Sequence, residues 1–166
     1  MEPPAGAPGL DADRLAAWAS IATLMERLPA ALDAQLQRDS GVSHYEHGLL
    51  FALDTAPSRR LRMSVLAGYA HSTLSRLSRA VSRLEKKGWV RRETDPGDGR
   101  FTLAVLTDSG HDFVAESTPA HHALIEELVF GALTEEQVEQ LVRISAQITR
   151  AIDDTPPWTP PPSSGA

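Results

Sequence analysis

Hydrophobic residues recur at helical spacing through the first part of the chain. From Asp11 to about Arg38, apolar side chains stand three or four residues apart or at multiples of that spacing, at Leu15, Trp18, Ala22, Met25, Leu32 and Leu36. This period predicts an amphipathic helix. Pro29 lies inside it and is expected to kink or divide it, because proline lacks the amide hydrogen that a helix needs.

Three shorter helices are predicted next. Ser43 and Glu46 have the spacing of a capping box, which predicts a helix from there to about Asp54. A short helix follows at residues 64–69. Ser72 is expected to cap another that reaches Lys87, with an apolar stripe formed by Leu74, Leu77, Val81 and Leu84.

After Gly88, a residue suited to the left-handed end of a helix, the pattern becomes that of strands. Residues 89–94 and 101–106 are predicted strands, and the turn-forming residues 95–100 join them into a β-hairpin with an extended tip. The predicted fold class is therefore mainly α with a small β-hairpin.

Two further helices are predicted towards the carboxyl end. Thr107 is expected to cap a helix that Pro119 bends and that reaches about Gly131. Thr134 and Gln137 have capping-box spacing and open a last helix, whose apolar side carries Val138, Leu141, Ile148 and Ile152.

Charge is distributed unevenly along the chain. The net charge is −6, yet the segment from Ser58 to Arg100 holds eleven basic and four acidic residues, a formal charge of +7. The other residues are five basic and eighteen acidic, a charge of −13. A positive face on an anionic body favours binding to phosphate, although a solvated basic face without function has the same pattern.

Composition narrows the class of protein. The 166 residues suffice for one domain, and the absence of cysteine excludes disulfides, thiolate zinc sites and cysteine redox switches. No apolar run approaches the roughly 20 residues that span a bilayer, and the first residues do not form a secretory signal. We find no catalytic triad, phosphate-binding glycine loop or paired carboxylates. These features predict a soluble cytoplasmic protein that is not an enzyme, has no cofactor and binds no membrane.

Two helices joined by a tight turn and followed by a basic hairpin form a winged helix-turn-helix. The second helix fits the major groove, where base edges present distinguishable donors, acceptors and methyl groups. Opposite its apolar stripe, the predicted helix at residues 72–87 carries Ser75, Arg76, Arg79 and Arg83. Hydroxyls and arginines are the groups that bind bases and phosphates, and the sequence leaves open which of the two the arginines contact.

Specific residues within this unit resemble one family. Residues 98–110, DGRFTLAVLTDSG, resemble the wing signature of the MarR family, and residues 83–90, RLEKKGWV, are similar to the exit of its recognition helix. The resemblance implies that Arg100 enters the minor groove and that Asp98 holds it. It also implies that Thr73, Ser75, Arg76 and Arg79 face the major groove. The alternative interpretation of Arg100 is an exposed arginine in a turn, without a role in DNA binding. The full set of candidate DNA-binding residues is Ser72, Thr73, Ser75, Arg76, Arg79, Arg83, Asp98 and Arg100.

The resemblance also implies an organisation and an activity. Helices from both chain ends are expected to form a homodimer that binds a palindromic operator in double-stranded DNA, although Pro29 and Pro119 depart from the family pattern. The expected regions are a flexible arm at 1–10, dimerisation helices at 11–42 and 107–153, the DNA-binding unit at 43–106, and a disordered proline-rich tail at 154–166.

Regulation is open to several hypotheses. Family members often sense phenolic or other aromatic acids, so a repressor released by such an effector is expected, with a pocket at Trp18, His44, Tyr45 and Arg62. A metal- or pH-responsive regulator would use His44, His47, His121 and His122, with Glu46. No metal site is expected, because neighbouring residues 121 and 122 point about 100° apart on a helix. Binding to DNA without sequence preference is the remaining alternative.

Overall fold

The computed structural model describes residues 9–152. The predicted tail, and the predicted arm up to residue 8, lie outside the described residues. Six α-helices and a three-stranded sheet follow in the order α1 (Ala12–Ser40), α2 (His44–Thr55), β1 (Arg60–Arg62), α3 (Met63–Tyr69), α4 (Leu74–Lys86), β2 (Val90–Thr94), β3 (Thr102–Leu106), α5 (Asp108–Ile125) and α6 (Glu135–Ile152).

The first helix is longer and more continuous than the sequence predicts. It begins after Asp11, whose carboxylate accepts the Arg14 amide, and ends at Gly41 with a left-handed φ of 65°. Pro29 lies within its 29 residues and does not divide it, so that part of the expectation is wrong. Loss of one amide donor is tolerated because the helical turns on either side continue. Pro119 likewise lies inside α5.

The predicted capping residues are confirmed at three helices. Ser43 and Glu46 form both bonds of a capping box at α2. The Thr107 hydroxyl accepts the Gly110 amide at the start of α5. Thr134 and Gln137 exchange backbone and side-chain hydrogen bonds before α6, at 2.9 and 3.3 Å.

The predicted hairpin is confirmed, and a third strand completes the sheet. Strand β3 pairs antiparallel with β2 and, on its other side, with β1, where Leu61 stands opposite Ala104. The sequence does not predict β1, because three residues are too few to establish the alternation of a strand. This strand joins the helix-turn-helix to the wing, which consists of β2, β3 and the loop between them.

The core lies between α2, α4, α5 and the sheet. Its fully buried side chains include Leu50, Leu53, Leu66, Leu77, Val81 and Leu84. Leu74, predicted to belong to the α4 stripe, is instead 56% exposed, because it is the first residue of the helix and lies beyond the core. At Gly110 a Cβ would collide with the carbonyl oxygen of Trp89, so glycine is required where α5 approaches the end of α4.

The carboxyl-terminal helices differ from this core. Helix α5 continues through a π-helical turn to Phe130 and reaches Gly131 as predicted. None of the residues of α6 is buried, and its large apolar side chains, which include Leu141, Ile144 and Ile148, are exposed. Within residues 9–152 no helix has both the length and the hydropathy needed to span a membrane.

Candidate nucleic-acid interface

Helix α4 is positioned by a cap and by its buried face. Thr73 is the N-cap and accepts the Arg76 amide at 3.3 Å, so the predicted cap at Ser72 is wrong. The Ser72 hydroxyl instead lies 2.7 Å from the Tyr45 hydroxyl and ties the turn before α4 to α2. Two adjacent hydroxyl residues both suit a cap, and the sequence does not show which one directly precedes the first turn.

The outward face of α4 carries the predicted groove-facing side chains. Ser75, Arg76 and Arg79 are exposed, as is Thr73 at the helix start. The Arg76 guanidinium lies 4.4 Å from the centroid of the Tyr45 ring, a cation–π contact that limits its rotation. The Arg79 Nε donates to the Ser75 carbonyl oxygen at 3.4 Å. The exposed surface of the helix thus combines hydroxyl and guanidinium donors.

Arg83 differs from these arginines because it is paired within the protomer. Its Nε donates to Glu46 Oε1 at 2.6 Å. The other Glu46 carboxylate oxygen caps α2 through the Ser43 amide and hydroxyl, and these bonds hold the pKa of Glu46 below its usual value against the opposing effect of burial. Glu46, considered as a metal ligand from the sequence, is therefore committed to joining α2 to α4.

Part of the positive charge in this region is used inside the fold. Arg92 on β2 donates to Glu85 at 2.6 Å and to the Ser78 carbonyl oxygen at 2.7 Å, so it joins the wing to α4. The sequence gives no signal for this role, since Arg92 is one of eleven basic residues in the segment. The count of eleven basic residues therefore overstates the number of cations available to DNA.

The wing tip presents one arginine in a defined conformation. Arg100 makes a two-pronged ion pair with Asp98, at 2.6 Å from Nη2 to Oδ2 and 2.9 Å from Nε to Oδ1. The Arg100 side chain is nevertheless 84% exposed. Its hydrogen bonds lower the pKa of Asp98, so the acid stays ionised. The geometry agrees with the expectation that Asp98 holds Arg100 at the tip.

A mostly apolar cavity of about 740 Å³ lies between α1, α2, α3 and the start of α4. Two of the four residues predicted to form an effector pocket, His44 and Tyr45, line it, and so does Arg76. Trp18 does not line it. It is eleven residues, roughly 16 Å along the helix axis, from Pro29, the nearest residue of the cavity on α1. Arg62 does not line it either, because it points to the wing, where its Nε donates to Asp95.

Three histidines pack together between α2 and α5. The ring centroid of His121 lies 5.3 Å from that of His44 and 4.9 Å from that of His47. His47 and His121 are also hydrogen-bonded, to Ser117 and Gln35. Burial, assisted by the neighbouring histidines, lowers the pKa of His47 to about 4, so the ring is neutral near pH 7.

The histidines do not form a metal centre. His122 turns away from the cluster towards Phe51, as expected for neighbours on a helix. Between residues 9 and 152, no group of three histidine or carboxylate side chains is arranged to hold a metal ion. The buried rings of His47 and His121 act as packed, hydrogen-bonded parts of the junction between α2 and α5.

An exposed recognition helix, a tight turn before it and a wing with an oriented arginine define a winged helix-turn-helix protein that binds DNA. Residues 40–100 match the model of the MarR family. The chain is similar to the crystal structure of Sco3205, a MarR family transcriptional regulator from Streptomyces coelicolor, in complex with DNA. The identity is 41%, the TM-score is 0.87, and the match covers 95% of this chain and 98% of that one. The chain belongs to the MarR family and is a DNA-binding transcriptional regulator, not an enzyme.

Other relatives agree with this assignment. The structure of AbsC, a MarR family transcriptional regulator from Streptomyces coelicolor, is 27% identical with a TM-score of 0.86, over 90% of this chain and all of that one. The transcriptional repressor MprA of Escherichia coli strain K12 is 27% identical over 130 residues, which cover 78% of this chain and 70% of that protein.

Proposed function

We propose that this protein is a homodimeric repressor that reads a palindromic operator and is released from it by a small aromatic acid. The observation that carries the DNA-binding part is the pairing of two outward surfaces on one rigid unit, the exposed side of α4 and the oriented Arg100. The chain is similar in fold to a relative whose structure contains DNA, and this similarity supports the proposal that the two surfaces contact DNA.

The two surfaces have different roles in this proposal. Side chains at the start of α4 lie in the major groove, where Arg76 and Arg79 contact base edges or phosphates and Thr73 and Ser75 supply short polar contacts. Arg100 lies at a turn and reaches the minor groove, where a narrow A·T tract has a strong negative potential. Arg83 and Ser72 are bonded to Glu46 and Tyr45 within the protomer, so we propose that they position α4 and that base reading falls to the other residues.

Dimerisation is supported by the apolar side chains that one protomer leaves exposed on its outer helices. Helix α1 exposes Leu15, Trp18, Leu24 and Met25, and α6 exposes Leu141, Val142, Ile144, Ile148 and Ile152. Large apolar faces that a folded chain leaves exposed to water are ordinarily covered by a partner. A second copy is the partner that would also place two recognition helices on a two-fold axis.

The effector part of the proposal rests on the cavity. Its lining is mostly apolar along α2 and α3. Asp33, whose carboxylate accepts the His44 amide, lies on the α1 side, and the Tyr45 ring and the Arg76 guanidinium lie together in contact. An aromatic acid matches this arrangement, with its ring among the apolar side chains and its carboxylate on Arg76. Because Arg76 also belongs to the outward face of α4, a ligand that holds it competes with DNA.

The experiment that tests the DNA-binding part compares Arg100→Ala with Arg79→Ala. Arg100→Ala should weaken binding to every duplex and remove a preference for A·T at the flanks of the site. Arg79→Ala should relax choice at defined half-site positions by roughly 1–3 kcal/mol if it contacts a guanine. Arg38→Ala, which removes an exposed arginine at the end of α1, is the matched control. Wild-type affinity of the Arg100 variant would contradict the proposed use of the wing.

A further inference from the structure

An arginine outside the recognition helix is bonded to the base of the wing loop. Arg62, the last residue of β1, donates from Nε to Asp95 Oδ2 at 2.7 Å. Asp95 is the first residue after β2, and its side chain is only 12% exposed. The pair therefore links the edge strand that leads into α3 to the loop that carries the wing tip.

Asp95 also accepts hydrogen bonds from residues at the wing tip. Its second carboxylate oxygen accepts the Gly97 amide at 2.8 Å, and its carbonyl oxygen accepts the Asp98 amide at 3.2 Å. Asp98 in turn holds Arg100 through both carboxylate oxygens. A continuous series of hydrogen bonds thus runs from Arg62 through Asp95 and Asp98 to Arg100.

An aromatic ring gives a second route between the same two arginines. The Arg62 guanidinium carbon lies 4.3 Å from the centroid of the Phe101 ring, and that of Arg100 lies 5.9 Å from it. The Phe101 backbone closes the loop as well, since its carbonyl accepts the Asp95 amide at 2.9 Å and its amide donates to the Asp98 carbonyl at 3.0 Å. Arg62 therefore contacts both ends of the loop that contains Arg100.

We propose that Arg62 is a positioning residue for DNA binding, which orders the wing loop through Asp95 and Phe101 and so holds Arg100 in the conformation that enters the minor groove. The inference rests on the proposed role of Arg100. Ordering a loop before it binds removes part of the entropic cost of immobilising its side chains on DNA. Loss of Arg62 should therefore weaken DNA binding by about three- to tenfold.

Arg62 has a matched control two residues earlier on the same strand. Arg60 carries the same charge and is exposed, and it stands opposite Val105, away from the wing loop. Arg60→Ala and Arg62→Ala remove the same charge from β1, but only the second removes the contacts to Asp95 and Phe101. Arg62→Lys keeps the charge without the planar fork that pairs with the carboxylate while stacking on the ring.

The first measurement is hydrogen exchange in the DNA-free protein. Arg62→Ala should speed exchange of the Asp98 and Phe101 amides, Arg62→Lys should restore protection only in part, and Arg60→Ala should leave these amides unchanged. Equal protection in wild type and Arg62→Ala would overturn the proposal, because Arg62 would then not order the loop.

The second measurement is a DNA titration in two backgrounds. Arg62→Ala alone should lose affinity and A·T preference at the flanks. In an Arg100→Ala background, Arg62→Ala should cause no further loss, because the residue it positions is absent. A further loss of equal size, with a lower salt dependence, would show that Arg62 contacts phosphate directly and would overturn the proposal. Wild-type affinity of Arg100→Ala alone would instead identify the proposed role of the wing as the error, and the inference would fail with it.

Discussion

The winged unit and the outer helices, α1 and α6, differ in how their hydrophobic faces are covered. In α4 the side chains of Leu77, Val81 and Leu84 are fully buried within one protomer, whereas α6 has no buried residue and exposes its apolar stripe. The winged unit therefore has a complete core in a single chain. In the proposed dimer a second chain covers the outer helices, so the part that contacts DNA and the part that sets its symmetry would be stabilised separately.

The largest effect should come from a cavity in the winged unit. Leu77→Ala removes a fully buried side chain and should lower the free energy of unfolding by about 2–5 kcal/mol. The matched change Leu141→Ala, on the α6 stripe, should act mainly by weakening association. Urea unfolding at two protein concentrations separates them, because only a defect in association grows on dilution. A Leu77 defect that disappeared at high concentration would contradict the comparison.

A charge on the α6 stripe should affect association without unfolding the winged unit. Ile148→Asp places a carboxylate on the proposed interface and should raise the dimer dissociation constant about a hundredfold or more, close to 3 kcal/mol. Sedimentation should then give a particle of 18.0 kDa in place of one twice that mass. Gln147→Asp, which adds the same charge to an exposed neighbouring position, is the control. An 18.0 kDa particle for the wild type would exclude the dimer.

Features formed by residues close together in the chain could be predicted from the sequence. The period of α4, the hairpin and the turn residues at its tip are local features, and each was predicted within a few residues. Asp98 and Arg100 are two residues apart, so their pairing follows from a short motif. The family resemblance then supplied a role that spacing alone does not give.

Contacts between distant residues could not be predicted in the same way. Arg62 and Asp95 are 33 residues apart and Arg83 and Glu46 are 37 apart, and nothing in the local pattern selects these pairs among the many charges nearby. The sequence therefore indicates neither the contact of Arg62 with Asp95 nor that of Arg83 with Glu46. His44 and Tyr45, two of the four residues predicted for an effector pocket, line the cavity, whereas Trp18 and Arg62 do not.

The free energy of unfolding should depend on pH through the histidines at the junction between α2 and α5. His47 is neutral in the folded protein because burial lowers its pKa to about 4, whereas in the unfolded chain it binds a proton near pH 6.5. The stability it provides is complete above pH 6.5 and is lost as pH falls towards 4. The free energy of unfolding should therefore fall by about 2 kcal/mol between pH 7 and pH 5.

The variant His47→Gln keeps a side chain able to hydrogen-bond Ser117 and should reduce that slope. Its neighbours His44 and His121 also have lowered pKa values and contribute in the same direction, so part of the slope should persist. Urea unfolding at several pH values gives both slopes. A slope unchanged in His47→Gln would contradict the assignment to His47.

The smallest effect should come from filling the cavity between the regions. Gly48 lines it, and a Cβ there meets no atom within 4 Å, so Gly48→Leu can occupy the space. It should weaken binding of 2-hydroxybenzoate at least tenfold while DNA affinity is retained. Gly68→Leu adds the same side chain to an exposed helical position outside the cavity and is the control. Calorimetric titration that showed no binding to the wild type would exclude this class of ligand.

Selection of binding sites from random duplexes tests the central claim most directly, followed by titration of the selected and a scrambled duplex at two salt concentrations. Two recognition helices related by a two-fold axis should select an inverted repeat whose half-sites lie about one helical turn apart. The selected duplex should bind at least about a thousandfold more tightly than the scrambled one. Recovery of no motif, with equal affinity for both duplexes and a steep salt dependence, would show binding without sequence preference and would contradict the account.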